Sequence, residues 1–285
     1  MAHTKQADRH SEYTSPTAAA PVLVGADGSE EGRDALALAR ELSALRGARC
    51  LIAVPGPGPI GEEAREALDD PRAPVEEIGF TSSGKVLAKI AERDQVGTVV
   101  VGSSHRGAIG RAMLGSVGEQ VLGHAPCEVV VAPRGYATGE PRHFRRIAVA
   151  VDGSEESKVA LTRAEDLARQ AGATIEVLVA DDPMVLGIQA EYPSDAPAEL
   201  ADVLKAAVAS VDPNLSPVGK RVETGWHQVV RTIAAAIAGA CEADVDLLVT
   251  GCRRPINHFL SGSVTRHLIT EAPCPVLVVP HSRKV

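Results

Sequence analysis

Aromatic side chains are nearly missing: one Trp, three Tyr and three Phe make up 2% of 285 residues. Single-stranded nucleic acid is held on aromatic stacking platforms, and the chain offers almost none. A surplus of basic charge is also lacking, since 29 Lys and Arg stand against 37 Asp and Glu, a formal net charge of −8. Phosphate backbones recruit Lys and Arg, so no nucleic-acid partner is expected. Long apolar runs are absent as well. The richest, residues 232–241, lies between Arg231 and Glu242 and is about half of the roughly 20 residues that a membrane helix needs. Residues 1–19 are polar, with Lys5, Arg9 and Glu12 scattered through them, which fits a disordered tail rather than a secretory leader. No membrane association and a cytoplasmic location are therefore expected. Cysteine is scarce and unpaired in pattern: Cys50, Cys127, Cys241, Cys252 and Cys274 form an odd set without a C-x-x-C. That excludes a disulfide framework and a zinc site, and leaves buried reduced thiols. No G-x-S-x-G elbow, P-loop or H-E-x-x-H is present, so no catalytic or metal-binding residue is assigned.

What the chain has is internal repetition. V-L-V-G-A-D-G-S-E-E at 22–31 returns as A-V-A-V-D-G-S-E-E at 148–156, with Asp27 and Asp152 125 positions apart. The same offset relates Gly47 to Gly172 and Val54 to Val179. Further on, Gly102 and Gly251 are 149 apart, Ser116 and Ser263 147 apart, and A-P-C at 125–127 recurs at 272–274. The second repeat therefore carries 24 extra residues between its second and fourth apolar runs and loses two in the loop that follows. Short β-branched runs at 22–26, 51–54, 98–101 and 129–131, and again at 147–151, 175–179, 247–250 and 276–279, read as buried strands. Between them lie helical patterns. Ser29 is a candidate N-cap, Glu30 and Glu31 suit the positive end of the helix dipole, Ala35, Leu38, Leu42 and Leu45 share one face, and Gly47 supplies the stop. Apolar strands alternating with amphipathic helices predict an α/β fold: two tandem open parallel sheets flanked by helices, Rossmann-like. The expected organisation is a tail (1–19), domain 1 (20–134), a Gly- and Pro-rich linker (135–143) and domain 2 (144–281).

In open parallel sheets, ligands bind outside the carboxyl ends of the strands. The loop after the fourth run, from Gly102 to Gly115-Ser116, is glycine-rich and feeds a helix start, where unpaired N–H groups and the dipole favour phosphate. Arg106, Arg111, Arg253 and Arg254 fall in this loop and its repeat. Gly, Ser and Arg are also ordinary surface-loop residues, and an Asx-turn capping the next helix accounts for Asp27 and Asp152 as well as ligand contact does. G-P-G-P-I-G at 56–61 has the spacing of a dinucleotide fingerprint, but Pro57 and Pro59 remove amide donors, so a plain connection is expected. His258 and His267 read as surface residues and Trp226 as core. In the inserted region, about 181–219, Leu200, Leu204, Ala207 and Val211 share a helical face that either covers the domain or meets a partner.

These residues together resemble the universal stress protein family in its tandem two-domain form. The carriers are V-x-x-D-G-S after the first strand, G-x-x-G-x(9)-G-S after the fourth, and the closing A-P-C-P-V-L-V-V. The resemblance implies five-stranded parallel sheets of the adenine nucleotide alpha hydrolase-like type, paired through their last strands. In one subgroup it implies ATP, with Mg2+, held by the fourth loop. Carried over, the nucleotide-binding positions are Asp27, Val54, Gly102, His105, Gly115, Ser116 and Val117 in repeat one. In repeat two they are Asp152, Val179, Gly251, Arg254, Gly262, Ser263 and Val264. His105 and Arg254 replace the family's second glycine, and His105 tolerates positive φ better, which favours repeat one. The expected function is an ATP-binding stress-response regulator that does not turn its ligand over. The alternatives are a non-nucleotide-binding interaction scaffold with a protein partner, and a weak ATPase or autophosphorylating protein. Internal domain pairing protects the last strands, and a homodimer is left open.

Overall fold

The apolar runs of both repeats join one sheet. The computed structural model describes residues 20–79, 83–103, 115–139, 143–181, 196–223, 235, 237–239, 241, 245–254 and 264–282. Repeat one supplies β1 (Val22–Gly25), β2 (Cys50–Pro55), β3 (Val75–Ile78), β4 (Thr98–Gly102) and β5 (Glu128–Ala132). Repeat two supplies β6 (Arg146–Ala150), β7 (Thr174–Asp181), β8 (Val218–Glu223), β9 (Leu247–Arg254) and β10 (Val276–Ser282). The order is β3-β2-β1-β4-β5-β10-β9-β6-β7-β8. Pairing is parallel within each repeat. At the junction β5 and β10 run antiparallel, with Val131 opposite Val276 and Val129 opposite Val278. The two expected sheets are thus one continuous sheet, because each last strand would otherwise leave an unpaired apolar edge.

Strand alternation separates two cores. Val22 and Val24 face one, shared by α1 (Glu30–Arg46), α2 (Ile60–Leu68), α5 (Glu155–Ala171) and α6 (Ala196–Ser210). Leu23, between them, faces the other with α3 (Ser83–Arg93), α4 (Ser116–His124) and α7 (Val264–Glu271). Helix α1 starts and stops where its residues require: Ser29 Oγ accepts from Gly32 N at 3.0 Å, and Gly47 ends the helix at φ 58°.

Two strands escape the sequence pattern. β3 (V-E-E-I) and β8 (V-G-K-R-V-E) are the outer edges, and edge strands carry charge that hides their periodicity. β8 starts inside the segment read as insertion, which corrects that segment's end. Residues 182–195 of it lie outside the described residues. Helix α6 covers its own repeat: Ala207 and Val211 are buried, and Leu200 and Leu204 pack half-buried against the α5 core. The linker is not unstructured at its start. A 3-10 turn at Tyr136–Thr138 is pinned to α1 by buried Asp34, which accepts from Gly135 N at 2.9 Å and Ala137 N at 2.8 Å.

Charge crosses the junction between the repeats. Glu128 on β5 is 0% exposed and pairs with Arg163 on α5, 1% exposed. Arg163 donates to both carboxylate oxygens, through Nε and, at 3.0 Å, through Nη2. Thr98 Oγ1 donates to the same carboxylate at 3.1 Å and accepts from Arg46. Beside the junction, Glu119 on α4 meets Arg266 on α7 at 3.1 Å.

All five cysteines are buried and reduced. Burial pushes the Cys50 thiol up to about 12. The Cys241 thiol is raised by its hydrogen bond with Cys274 and by burial. The thiolate is the reactive form, and both groups stay protonated at pH 8. Titration with a disulfide reagent at pH 8 is expected to find no fast-reacting thiol among Cys50 and Cys241 in the folded chain, and full reaction in denaturant. Fast reaction of either would contradict the burial.

Candidate functional site

The carboxyl ends of β1 and β4 gather the repeat-one positions at one rim of the sheet, and those of β6 and β9 gather the repeat-two positions at the opposite rim, because β5 and β10 run antiparallel; within each repeat the strand order reverses there. After β1 the chain turns through Asp27-Gly28. Gly28 sits at φ 78° and its counterpart Gly153 at φ 83°, a left-handed conformation that favours glycine. Asp27 Oδ1 accepts from Ser29 N at 3.1 Å and from Ser29 Oγ. Asp152 Oδ1 accepts from Ser154 N at 3.0 Å and from Ser154 Oγ. Both aspartates are exposed and both form the Asx-turn that leads into the next helix.

Gly102 and Gly251 do a packing job. A Cβ on Gly102 would lie 2.1 Å from Glu31 O, and one on Gly251 2.2 Å from Glu156 O, because the first turns of α1 and α5 press on the sheet there. In repeat one the ladder ends at Gly102 opposite Ala132, and the Ser103 N–H donates to Ala132 O at 3.0 Å. In repeat two the expectation of a loop opening at Gly251 is corrected. β9 continues to Arg254, paired with Ser282, because β10 extends beside it. Arg253 and Arg254 therefore belong to a strand. His105, Arg106, Arg111, Gly262, Ser263, His258 and Trp226 lie outside the described residues.

Gly115 is the N-cap of α4 and supplies no capping side chain, in contrast to Ser29 and Ser154 at α1 and α5. Ser116 and Val117 form the exposed first turn, and Val264 opens α7. Helix α3 seats α4 closely: a Cβ on Gly84 would lie 2.5 Å from Val117 O. Two polar atoms are buried without a hydrogen-bond partner among the described residues here, Ser103 Oγ just past β4 and Gln120 Oε1 on α4. Ser103 is 2% exposed. Neither was singled out from sequence, because a Gly-Ser-Ser run shows nothing of burial. Val54 and Val179 are buried strand residues, and the Val54 carbonyl accepts from Gly56 N at 3.0 Å. The G-P-G-P-I-G segment is a connection leading into α2.

The sequence model of the universal stress protein family matches residues 60–133 and 143–280. The chain belongs to that family. A universal stress protein of Mycobacterium tuberculosis is 27% identical over 220 residues, covering 72% of this chain and 68% of its own. Among solved structures, a universal stress protein from Archaeoglobus fulgidus aligns over 91% of this chain and 98% of its own, with TM-score 0.65 and 18% identity. A protein of unknown function from Pseudomonas aeruginosa aligns over 93% and 94%, with TM-score 0.63 and 16% identity. At such identities the solved structures bear on the fold alone. In this two-repeat universal stress protein each repeat has its own rim, and the strand ladders end differently at the two. Among the described residues, no helix is long and apolar enough to cross a membrane.

Proposed function

We propose that this universal stress protein binds an adenine nucleotide, ATP with Mg2+, at the rim of repeat one. Occupancy changes its contacts with a protein partner in the cytoplasm, and the ligand is not turned over. The supporting observation is the pair of buried polar atoms without partners, Ser103 Oγ and Gln120 Oε1, beside a helix start that lacks a side-chain cap. A buried polar group left unpaired costs about 1–3 kcal/mol, and a ligand that supplies partners recovers it. The amides of α4's first turn suit a phosphate, exposed Asp27 follows β1, the strand paired with β4, and Mg2+ arrives with the polyphosphate. Slow hydrolysis or autophosphorylation ranks last, because Asp27 Oδ1 is engaged by Ser29 and the sequence carries no motif that marks a dedicated base.

The interaction-scaffold reading is favoured by a different observation: Asp27, Asp152, Gly102 and Gly251 have structural work without any ligand. Thermal unfolding with and without excess Mg-ATP separates the two. Ligand at 100 times its dissociation constant stabilises the fold by about 2.7 kcal/mol, so an upward, saturable shift specific to adenine nucleotides is expected. No shift, in protein free of co-purified nucleotide, would leave the scaffold.

A further inference from the structure

We infer that the two rims are not equivalent receptors: the chain takes one nucleotide polyphosphate, at repeat one, and the matching crevice of repeat two is built shut. The inference rests on the nucleotide reading above and adds its location and stoichiometry. Four departures from the internal repeat carry it, all at the carboxyl edge of repeat two.

First, α6 begins earlier than α2. Ile60 Cδ1 lies 3.6 Å from the Cβ position of Gly28, and Val203 Cγ2 lies 3.3 Å from that of Gly153, so Val203 occupies the place of Ile60. One residue on, Gly61 lies against Val75 of β3 while Leu204 lies against Gly219 of β8, and those strand positions match, since Val75 pairs with Ile52 and Gly219 with Val177. Ile60 is the first residue of α2, whereas seven residues of α6 precede Val203. At 1.5 Å per residue they carry the helix about 10 Å beyond the level at which α2 starts. This extension forms a wall beside the Asp152 turn, held by half-buried Leu200.

Second, residues 252–254 are extended and laddered to Pro280–Ser282, whereas the repeat-one ladder ends at Gly102 opposite Ala132 and Ser103 is no longer strand. Third, α7 is tied to that strand: Thr265 Oγ1 donates to Gly251 O at 3.4 Å, and the repeat-one counterpart of Thr265 is Gly118, which has no side chain to do so. Fourth, the counterpart of the unpartnered Ser103 is Cys252, a buried thiol that is a weak hydrogen-bonding group. Among the described residues, repeat one thus ends its ladder sooner and keeps unsatisfied polar atoms, and repeat two spends the same positions on strand, wall and helix contact.

The test is isothermal titration of the full chain with Mg-ATP, on protein whose absorbance shows no bound nucleotide. One site per chain is expected. Ser116→Asp puts a carboxylate at the start of α4, where it favours the helix but repels phosphate. It is expected to keep the unfolding midpoint and weaken all saturable binding by about 100-fold or more. Asp27→Ala is the second variant, with the same loss expected. Two sites per chain, or one site surviving either substitution at full affinity, overturns the inference and leaves the nucleotide reading standing. No binding by the unsubstituted chain overturns that reading and this inference with it.

Discussion

Arg163→Leu is expected to cost the protein about 3–5 kcal/mol of unfolding stability, because it leaves the Glu128 carboxylate buried without its partner. Glu128 is 0% exposed and lies at the seam where β5 meets β10, so water cannot replace the guanidinium without opening the junction. Replacing both members, Glu128→Leu with Arg163→Leu, is expected to recover most of that loss, since exchanging a buried ion pair for apolar groups is often neutral or stabilising. The chain supplies its own precedent. Under the internal repeat, Arg163 corresponds to Leu38, Glu128 to Pro275, Thr98 to Leu247 and Arg46 to Ala171, so the mirrored location is built from apolar residues. Denaturant unfolding of the two variants measures this. A double variant no more stable than Arg163→Leu alone would show that the pair is a net contributor in its own right.

Gly102→Ala and Gly251→Ala are expected to destabilise by a similar amount, on the order of 3 kcal/mol each, with or without nucleotide. The added methyl carbon would meet backbone: Glu31 O at 2.1 Å and Glu31 C at 2.7 Å in one repeat, Glu156 O at 2.2 Å and Glu156 C at 2.5 Å in the other. Backbone in the first turn of a long buried-face helix cannot rotate away as a flexible side chain would, so α1 or α5 must shift off the sheet. Unfolding midpoints of the two variants, measured in ligand-free protein, check this. A Gly102→Ala chain with unchanged stability and weakened nucleotide binding would mean instead that the glycine is kept for the ligand.

The two substitutions also mark where sequence reasoning reaches. Strands of the interior were readable because a strand buried on both faces is a continuous apolar run, and Ser29, Gly47 and Gly172 were readable because caps follow local chemistry. The edge strands β3 and β8 were not, because exposure admits charge and breaks the pattern. Gly102 and Gly251 were visible as candidate phosphate-loop residues, yet their contact is with a helix 71 and 95 residues earlier in the chain, at Glu31 and Glu156. Such a long-range approach leaves no local trace. Continuation of β9 past Gly251 is equally non-local, since it depends on how far β10 runs beside it. Ser103 and Gln120 became candidates only once burial was known.

The ion pair of Glu119 with Arg266 occupies a singular place, for the two residues are 147 positions apart and correspond to each other under the repeat. Where two like units meet across a dyad, each position on the axis confronts its own duplicate. A symmetric pair of separate repeats could therefore put only two carboxylates or two guanidiniums there. Joining the copies in one polypeptide gave the duplicates independent histories, and opposite charges could settle on the axis. The divorce of the halves is correspondingly hard to reverse: a protein made of either repeat alone would have to mate with itself through a like-charged contact.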